Sequence, residues 1–307
     1  MKQPLRNWPA RIICWLALCC IASACTGFEA PAATFTPLPP TIALTPLPTA
    51  TVTPAPGQQA ITLSLPYAIS STLSQTETFH FLLYLPADYY QDVSRRWPLV
   101  LYLHGSGEAG NDLNLLKQNG LPEKLEQDKN FPFIVVSPQI PAPPERQDPT
   151  TSYDIEGYLN KWGWKGYVSK LEVLLDYIQA SQRVDTRRVY LTGLSLGGFG
   201  VWAYALQFPD RFAAIVPIAG GYHFVDGVLP ADLCDLKDLP IWVFHGQLDP
   251  TVDYRRSQVL VDGLQTCGAR EVKFTLDPEG LHDVWSAAYA DPALWEWLLA
   301  HEKNPVN

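Results

Sequence analysis

The chain has 307 residues, 47% of them hydrophobic and 17% charged, with 10 Trp, 14 Tyr and 12 Phe. That is material for one large packed core and excludes disorder for the main body. The formal charge is −9, with no Lys/Arg cluster after the first dozen residues, so a phosphate backbone would be repelled and nucleic acid is excluded as a partner.

Lys2, Arg6 and Arg11 precede an uncharged run, Ile12 to Ala24, that is shorter than the roughly 20 residues of a membrane span. Residues 1–24 therefore read as an export signal of the lipoprotein type. Ala22-Ser23-Ala24 fits the small-x-small cleavage rule, and Cys25 follows at once as the expected lipidation site and membrane anchor. This resembles the lipobox of bacterial lipoproteins, in which Leu is usual where Ala22 stands; ordinary secretion or an uncleaved anchor is the alternative. Removing the signal takes away three positive charges and deepens the net charge to −12.

Residues 25–57 read as a linker. Pro31 to Pro56 is dominated by Pro, Thr and Ala and carries no charge, so it cannot bury a core. In extended polyproline geometry it would reach about 80 Å at ~3.1 Å per residue.

Residues 58–307 form the expected globular domain. Ile61, Leu63 and Leu65 alternate with polar residues as a half-buried strand does, and Phe79, Phe81, Leu83 and Leu85 repeat the pattern with Thr78 and His80 on the other face. Wholly apolar strands are predicted over 97–103, 133–136, 189–191, 213–218 and 241–244, which need cover on both faces. Helices are predicted over 168–180, 198–208 and 254–264, and a last strand over 272–276 precedes terminal helices bearing Trp285, Tyr289, Trp295 and Trp297. This alternation predicts the α/β class, a mostly parallel central sheet with helices on both faces.

Between the strand 189–191 and the helix 198–208 lies Gly193-Leu194-Ser195-Leu196-Gly197, a sharp strand-to-helix turn with a serine at its apex. Ser195 is the candidate nucleophile. A serine hydroxyl needs a base, the base needs an orienting acid, and the oxyanion needs waiting donors. In strand order the acid and base positions fall to Asp249, in His245-Gly246-Gln247-Leu248-Asp249-Pro250, and His282, in Glu279-Gly280-Leu281-His282-Asp283. Asp253 reads as a helix cap, Asp277 as a strand end, and Asp283 adjoins the base. His245 reads as a packed or hydrogen-bonded core residue, while His80, His223 and His301 match no catalytic position. His104-Gly105-Ser106-Gly107 follows the strand 97–103, so the backbone N–H groups of Leu196 and Ser106 are the expected oxyanion donors.

LYLHGSGEAG, the elbow stretch from Val189 to Gly221, LPIWVFHGQLDPTV and EGLHDVW together resemble the α/β-hydrolase superfamily, more narrowly its secreted carboxylesterase and predicted-peptidase group, related to feruloyl and acetyl-xylan esterases and dienelactone hydrolases. The resemblance covers about Thr76 to His301. It implies a Ser195, Asp249 and His282 triad, oxyanion amides at Ser106 and Leu196, and a small-molecule or polysaccharide-linked ester substrate. Leu281 departs from the family's usual Gly before the base. The insert from Pro138 to Trp164 holds five prolines, and its Trp162 and Trp164 are candidates either for a substrate pocket or for ordinary packing. Cys234 and Cys267 are the only thiols beyond the export region and could pair. With no zinc-ligand cluster and no phosphate loop, no cofactor and no metal are expected. An amide hydrolase of the prolyl-oligopeptidase type and a non-catalytic glycan-binding surface protein are the rival readings.

Overall fold

The computed structural model describes residues 54–68, 74–143, 163–222 and 229–303. The export signal, Cys25, Trp162 and nearly all of the linker lie outside them. Eight strands form one sheet: β1 (Gly57–Ala68), β2 (Ser74–Leu85), β3 (Trp97–Leu103), β4 (Ile134–Gln139), β5 (Val184–Leu194), β6 (Ala214–Ile218), β7 (Ile241–Gly246) and β8 (Val272–Asp277). Their order is β1-β2-β4-β3-β5-β6-β7-β8. β1 with β2 and β2 with β4 are antiparallel, and every pairing from β4 onward is parallel.

All seven residues of β3 are buried, and the strand's period of two sends them to opposite sides. Leu99, Leu101 and Leu103 join one apolar core; Val100 and Tyr102 join the other. Helices α2 (Trp164–Ser181), α3 (Leu196–Gln207) and α4 (Arg255–Thr266) cover the first core, and α1 (Gly120–Gln127), α5 (Trp285–Ala290) and α6 (Pro292–Leu299) cover the second. Burying both faces is what a parallel sheet between two helical layers requires.

Most elements lie where the sequence pattern puts them, including the α2 face of Val168, Leu171, Leu174, Leu175 and Ile178. Three differ. The α3 helix starts at Leu196, two residues earlier than expected, because the poor helix formers Gly197 and Gly198 are dictated by close packing and not by propensity. β5 begins at Val184, carried back along β3 by the pairing of Trp97 with Val184 through polar residues that hide a strand pattern. Finally, α1 went unpredicted: Leu121 and Leu125 are its only buried large apolar side chains, too few to show a helical period. Cys234 and Cys267 are joined by a disulfide, with Cα atoms 5.3 Å apart, tying the turn at Leu233–Leu236 to the end of α4.

Candidate active site

The parallel strands deliver their carboxyl ends to one edge of the sheet, and the predicted site residues gather there. β5 ends at Leu194 and α3 starts at Leu196, which leaves Ser195 alone to make the turn. It does so with φ 53° and ψ −116°, a left-handed geometry that costs a non-glycine residue about 1–3 kcal/mol. Its N–H donates to the Ile218 carbonyl at 2.9 Å and its carbonyl accepts from the Phe199 N–H at 3.1 Å, so neighbouring backbone holds the strained residue. The flanking glycines are a packing requirement, since a Cβ on either Gly193 or Gly197 would run into the Leu103 carbonyl at the end of β3.

Asp249 follows β7, and its loop is bound to the loop after β8. Gln247 N–H donates to Asp277 O at 2.8 Å and Leu248 N–H to Gly280 O at 3.0 Å. These bonds bring acid and imidazole together: His282 Nδ1 lies 2.7 Å from Asp249 Oδ2, and His282 Nε2 lies 3.0 Å from Ser195 Oγ. A carboxylate only accepts, so Nδ1 carries the proton and a neutral ring presents Nε2 as acceptor to the serine hydroxyl. The Trp285 ring stands edge-on to His282 at 5.1 Å and limits its swing.

Burial pushes the Asp249 carboxyl up, but hydrogen bonds from His245, His282 and the Val252 and Thr251 amides outweigh it and hold the group well below the ordinary carboxylate value. The two amides reach Oδ1 at 2.9 and 2.8 Å. Asp249 is thus held as an anion at neutral pH.

At the end of β3, Gly105 is close enough to the elbow that a Cβ on it would sit 3.6 Å from that of Ser195. Ser106 opens the short turn Ser106–Glu108, and Leu196 is the first residue of α3, where backbone N–H groups have no acceptor within the helix and the helix dipole is positive. Both expected amide donors therefore belong to segments flanking the serine. His104, just before Gly105, is fully buried. It donates from Nδ1 to Gly105 O at 2.6 Å and accepts at Nε2 from the Ile140 N–H at 3.1 Å. Burial, opposed by the Gly105 bond, lowers its pKa to about 4, so it is a neutral brace between β3 and β4.

The comparisons agree with this architecture. The family model described as "Putative esterase" matches residues 71–284. The chain belongs to the esterase family. Among curated relatives of this esterase, a poly(3-hydroxyoctanoate) depolymerase of Pseudomonas fluorescens is 27% identical over 67% of this chain and 74% of its own length. A bifunctional acetylxylan esterase/xylanase of Neocallimastix patriciarum is 28% identical over 52% of this chain and only 20% of its own length. Among solved structures, a thermostable esterase superposes with a TM-score of 0.56 at 27% identity, covering 78% of this chain and 63% of that one. The sheet order, the helices on both faces and these neighbours make this an α/β-hydrolase fold and the esterase a hydrolase of carboxylic esters.

Not every expected residue faces the serine of this esterase. Trp164 is 1% exposed, donates from its indole N–H to His104 O at 2.8 Å and packs against Gly200. It packs beneath the β3 corner and at the same time lines a small cavity with Leu196, Phe199 and Tyr222; its neighbour Trp162 lies outside the described residues. Two residues that sequence reasoning passed over touch the acid or support it: His245, set aside as a core histidine, and Ser257 on α4. The signal for the first was present, because His245 stands four residues before Asp249 at a strand end.

Proposed function

We propose that this protein is an exported serine esterase that works through an acyl-enzyme on Ser195. The observation that carries the reading is the unbroken line from Ser195 Oγ to His282 to Asp249, at 3.0 and 2.7 Å. His282 Nε2 takes the hydroxyl proton as Oγ bonds to the ester carbonyl carbon, and the Leu196 and Ser106 amides receive the oxyanion. The imidazolium, balanced by Asp249, returns that proton to the departing alcohol. Water then repeats the sequence and releases the acid. The disulfide between Cys234 and Cys267 supports export, since such bonds persist in oxidising compartments. A lipid-bearing Cys25 at the mature terminus, read by mass spectrometry from an exporting host, would establish the anchored form; an unmodified terminus elsewhere would favour plain secretion.

Polysaccharide-linked acyl esters are the first substrate class, in line with the acetylxylan esterase relative. A second reading, an aliphatic polyester, draws on the depolymerase relative and on two exposed leucines beside the acid and the base: Leu248 at 57% and Leu281 at 54% exposure. The test is hydrolysis of p-nitrophenyl acetate, butyrate and octanoate, acetylated xylan and a poly(3-hydroxyalkanoate) suspension by the wild type and Ser195→Ala. Loss of about 10⁴-fold or more in kcat is expected for the variant. Equal, residual rates for both proteins would overturn the esterase mechanism.

A further inference from the structure

We infer that His245 is a positioning residue for Asp249, and that with Ser257 it forms a buried strut running from the acid to the backbone after β6. The inference rests on the role proposed above for Asp249. The imidazole is fully buried, as is Ser257. His245 Nε2 lies 2.9 Å from the Val252 carbonyl and 3.3 Å from Asp249 Oδ2. Both partners only accept, so Nε2 carries a proton directed between them. On the other side of the ring, Nδ1 lies 2.8 Å from Ser257 Oγ, which stands 2.9 Å from the Gly220 carbonyl.

The geometry of the acid makes this strut consequential. Two amides fix Oδ1, and that leaves the carboxylate free to rock about Oδ1 unless something holds Oδ2. Oδ2 is the atom that meets His282. His245 reaches the same oxygen and, through Val252 O, also closes the turn on which Asp249 is mounted. A ring can hold that position only if it cannot turn itself, and the Ser257 hydroxyl wedged between Nδ1 and the Gly220 carbonyl prevents this, its one proton shared between the two acceptors. Gly220 in turn packs on Gly198 of α3, where a Cβ on Gly198 would come within 3.1 Å of the Gly220 Cα. The strut therefore ties the acid to the helix that begins at the nucleophile, so both ends of the reacting line share one reference frame. Supporting contacts of this kind keep reacting groups within the fraction of an ångström that catalysis demands.

The test compares wild type with His245→Ala, His245→Gln and Ser257→Ala, each with its folded fraction measured by thermal unfolding and circular dichroism. Glutamine keeps an N–H at the Nε2 position. For His245→Ala, kcat per folded molecule is expected to fall about tenfold to hundredfold with KM for p-nitrophenyl butyrate unchanged, Ser257→Ala to lose less, and His245→Gln to recover most of the loss. The second readout is the far-downfield proton resonance of the His282 Nδ1–H to Asp249 bond, assigned by its disappearance in His282→Ala. It should broaden or move in His245→Ala and return in His245→Gln. Because it is recorded on the resting protein, it reports on the strut even if esters are not turned over, which separates failure of this inference from failure of the esterase mechanism. A folded His245→Ala with wild-type kcat and an unmoved resonance would overturn the inference. So would a loss of activity that merely tracks the unfolded fraction.

Discussion

Two strands of the sheet end in the same dipeptide, and the two corners do different work. β3 runs into His104-Gly105 and β7 into His245-Gly246, and both imidazoles are fully buried at the edge of the sheet that holds Ser195. His104 spends both nitrogens on backbone, giving to Gly105 O and receiving from the Ile140 amide, and stays neutral. His245 spends one nitrogen on a carbonyl and a carboxylate and the other on a serine hydroxyl. Burial is the same for the two rings; the chemistry of their partners differs. A ring bonded only to backbone amide groups can hold two strands together, whereas a ring against a carboxylate also sets where that charge points.

The glycines after these histidines offer the strongest way to break the comparison. A Cβ on Gly246 would collide with the carbonyls of Leu281 and Gly280, which are backbone and carry His282. Nothing flexible is there to yield, so the acid and base loops must part. Gly246→Ala is expected to lower kcat by about a hundredfold or more, since misplacement by ~1 Å has that scale of effect. Steady-state kinetics on p-nitrophenyl butyrate checks this, and a fully active variant would mean that the β7 corner does not set the position of His282.

At the other corner the expected loss is in stability. His104→Gln removes a buried donor and acceptor pair, worth about 1–3 kcal/mol, while kcat per folded molecule stays within a few-fold of wild type. Its pH dependence has a definite sign. The unfolded chain takes a proton on His104 near pH ~6.5, and the folded protein resists it down to about 4. Between those values the unfolded state binds more protons, so stability falls with falling pH at up to ~1.4 kcal/mol per unit. Above about 6.5 this loss is absent. Asp249 works in a separate window: its depressed carboxyl stabilises the fold above pH ~4 and that contribution is lost only as pH falls further. Urea unfolding at several pH values from 7.5 to 4.5 should show a shallower slope for His104→Gln; an unchanged slope would show that the ring is not kept neutral by the fold.

The sequence made the sheet and the reacting edge legible because their signals are local. Apolar runs of four to seven residues mark β3, β6 and β7, and small residues flanking Ser195 mark a turn that only close backbone packing explains. Strand order alone singled out Asp249 and His282, which the structure joins in one hydrogen-bonded line with Ser195. What stayed hidden depends on contacts between distant segments. Ser257 is one polar residue on an amphipathic helix until folding brings it to His245 and Gly220, 12 and 37 residues away. Trp164 looked equally suited to a pocket or a core, and the bond from its indole N–H to His104 O, 60 residues back, could not be read from the sequence. α1 was invisible for a different reason, since its two buried leucines lie one turn apart and cannot define a period.

The mildest change sharpens the comparison most finely. Gly105 has φ −76° and ψ 179°, ordinary extended backbone that alanine adopts without strain. A Cβ there would meet Leu194 Cδ1 at 2.8 Å and Glu108 Oε2 at 3.0 Å, both ends of side chains that can turn aside, and would reach ordinary contact with Ser195 Cβ at 3.6 Å. Alanine also restricts the unfolded chain, which offsets part of the crowding by about 0.4–1 kcal/mol. Gly105→Ala should therefore leave stability within about 1 kcal/mol of wild type and reduce kcat only a few-fold, the new methyl group standing beside the nucleophile. The contrast with Gly246→Ala is the decisive quantity, because the two substitutions add the same atom after the same residue at the same edge. If Gly105→Ala proves as damaging as Gly246→Ala, the β3 corner is as rigidly coupled to the reacting groups as the β7 corner, and His104 must be counted with His245 among the residues that position them.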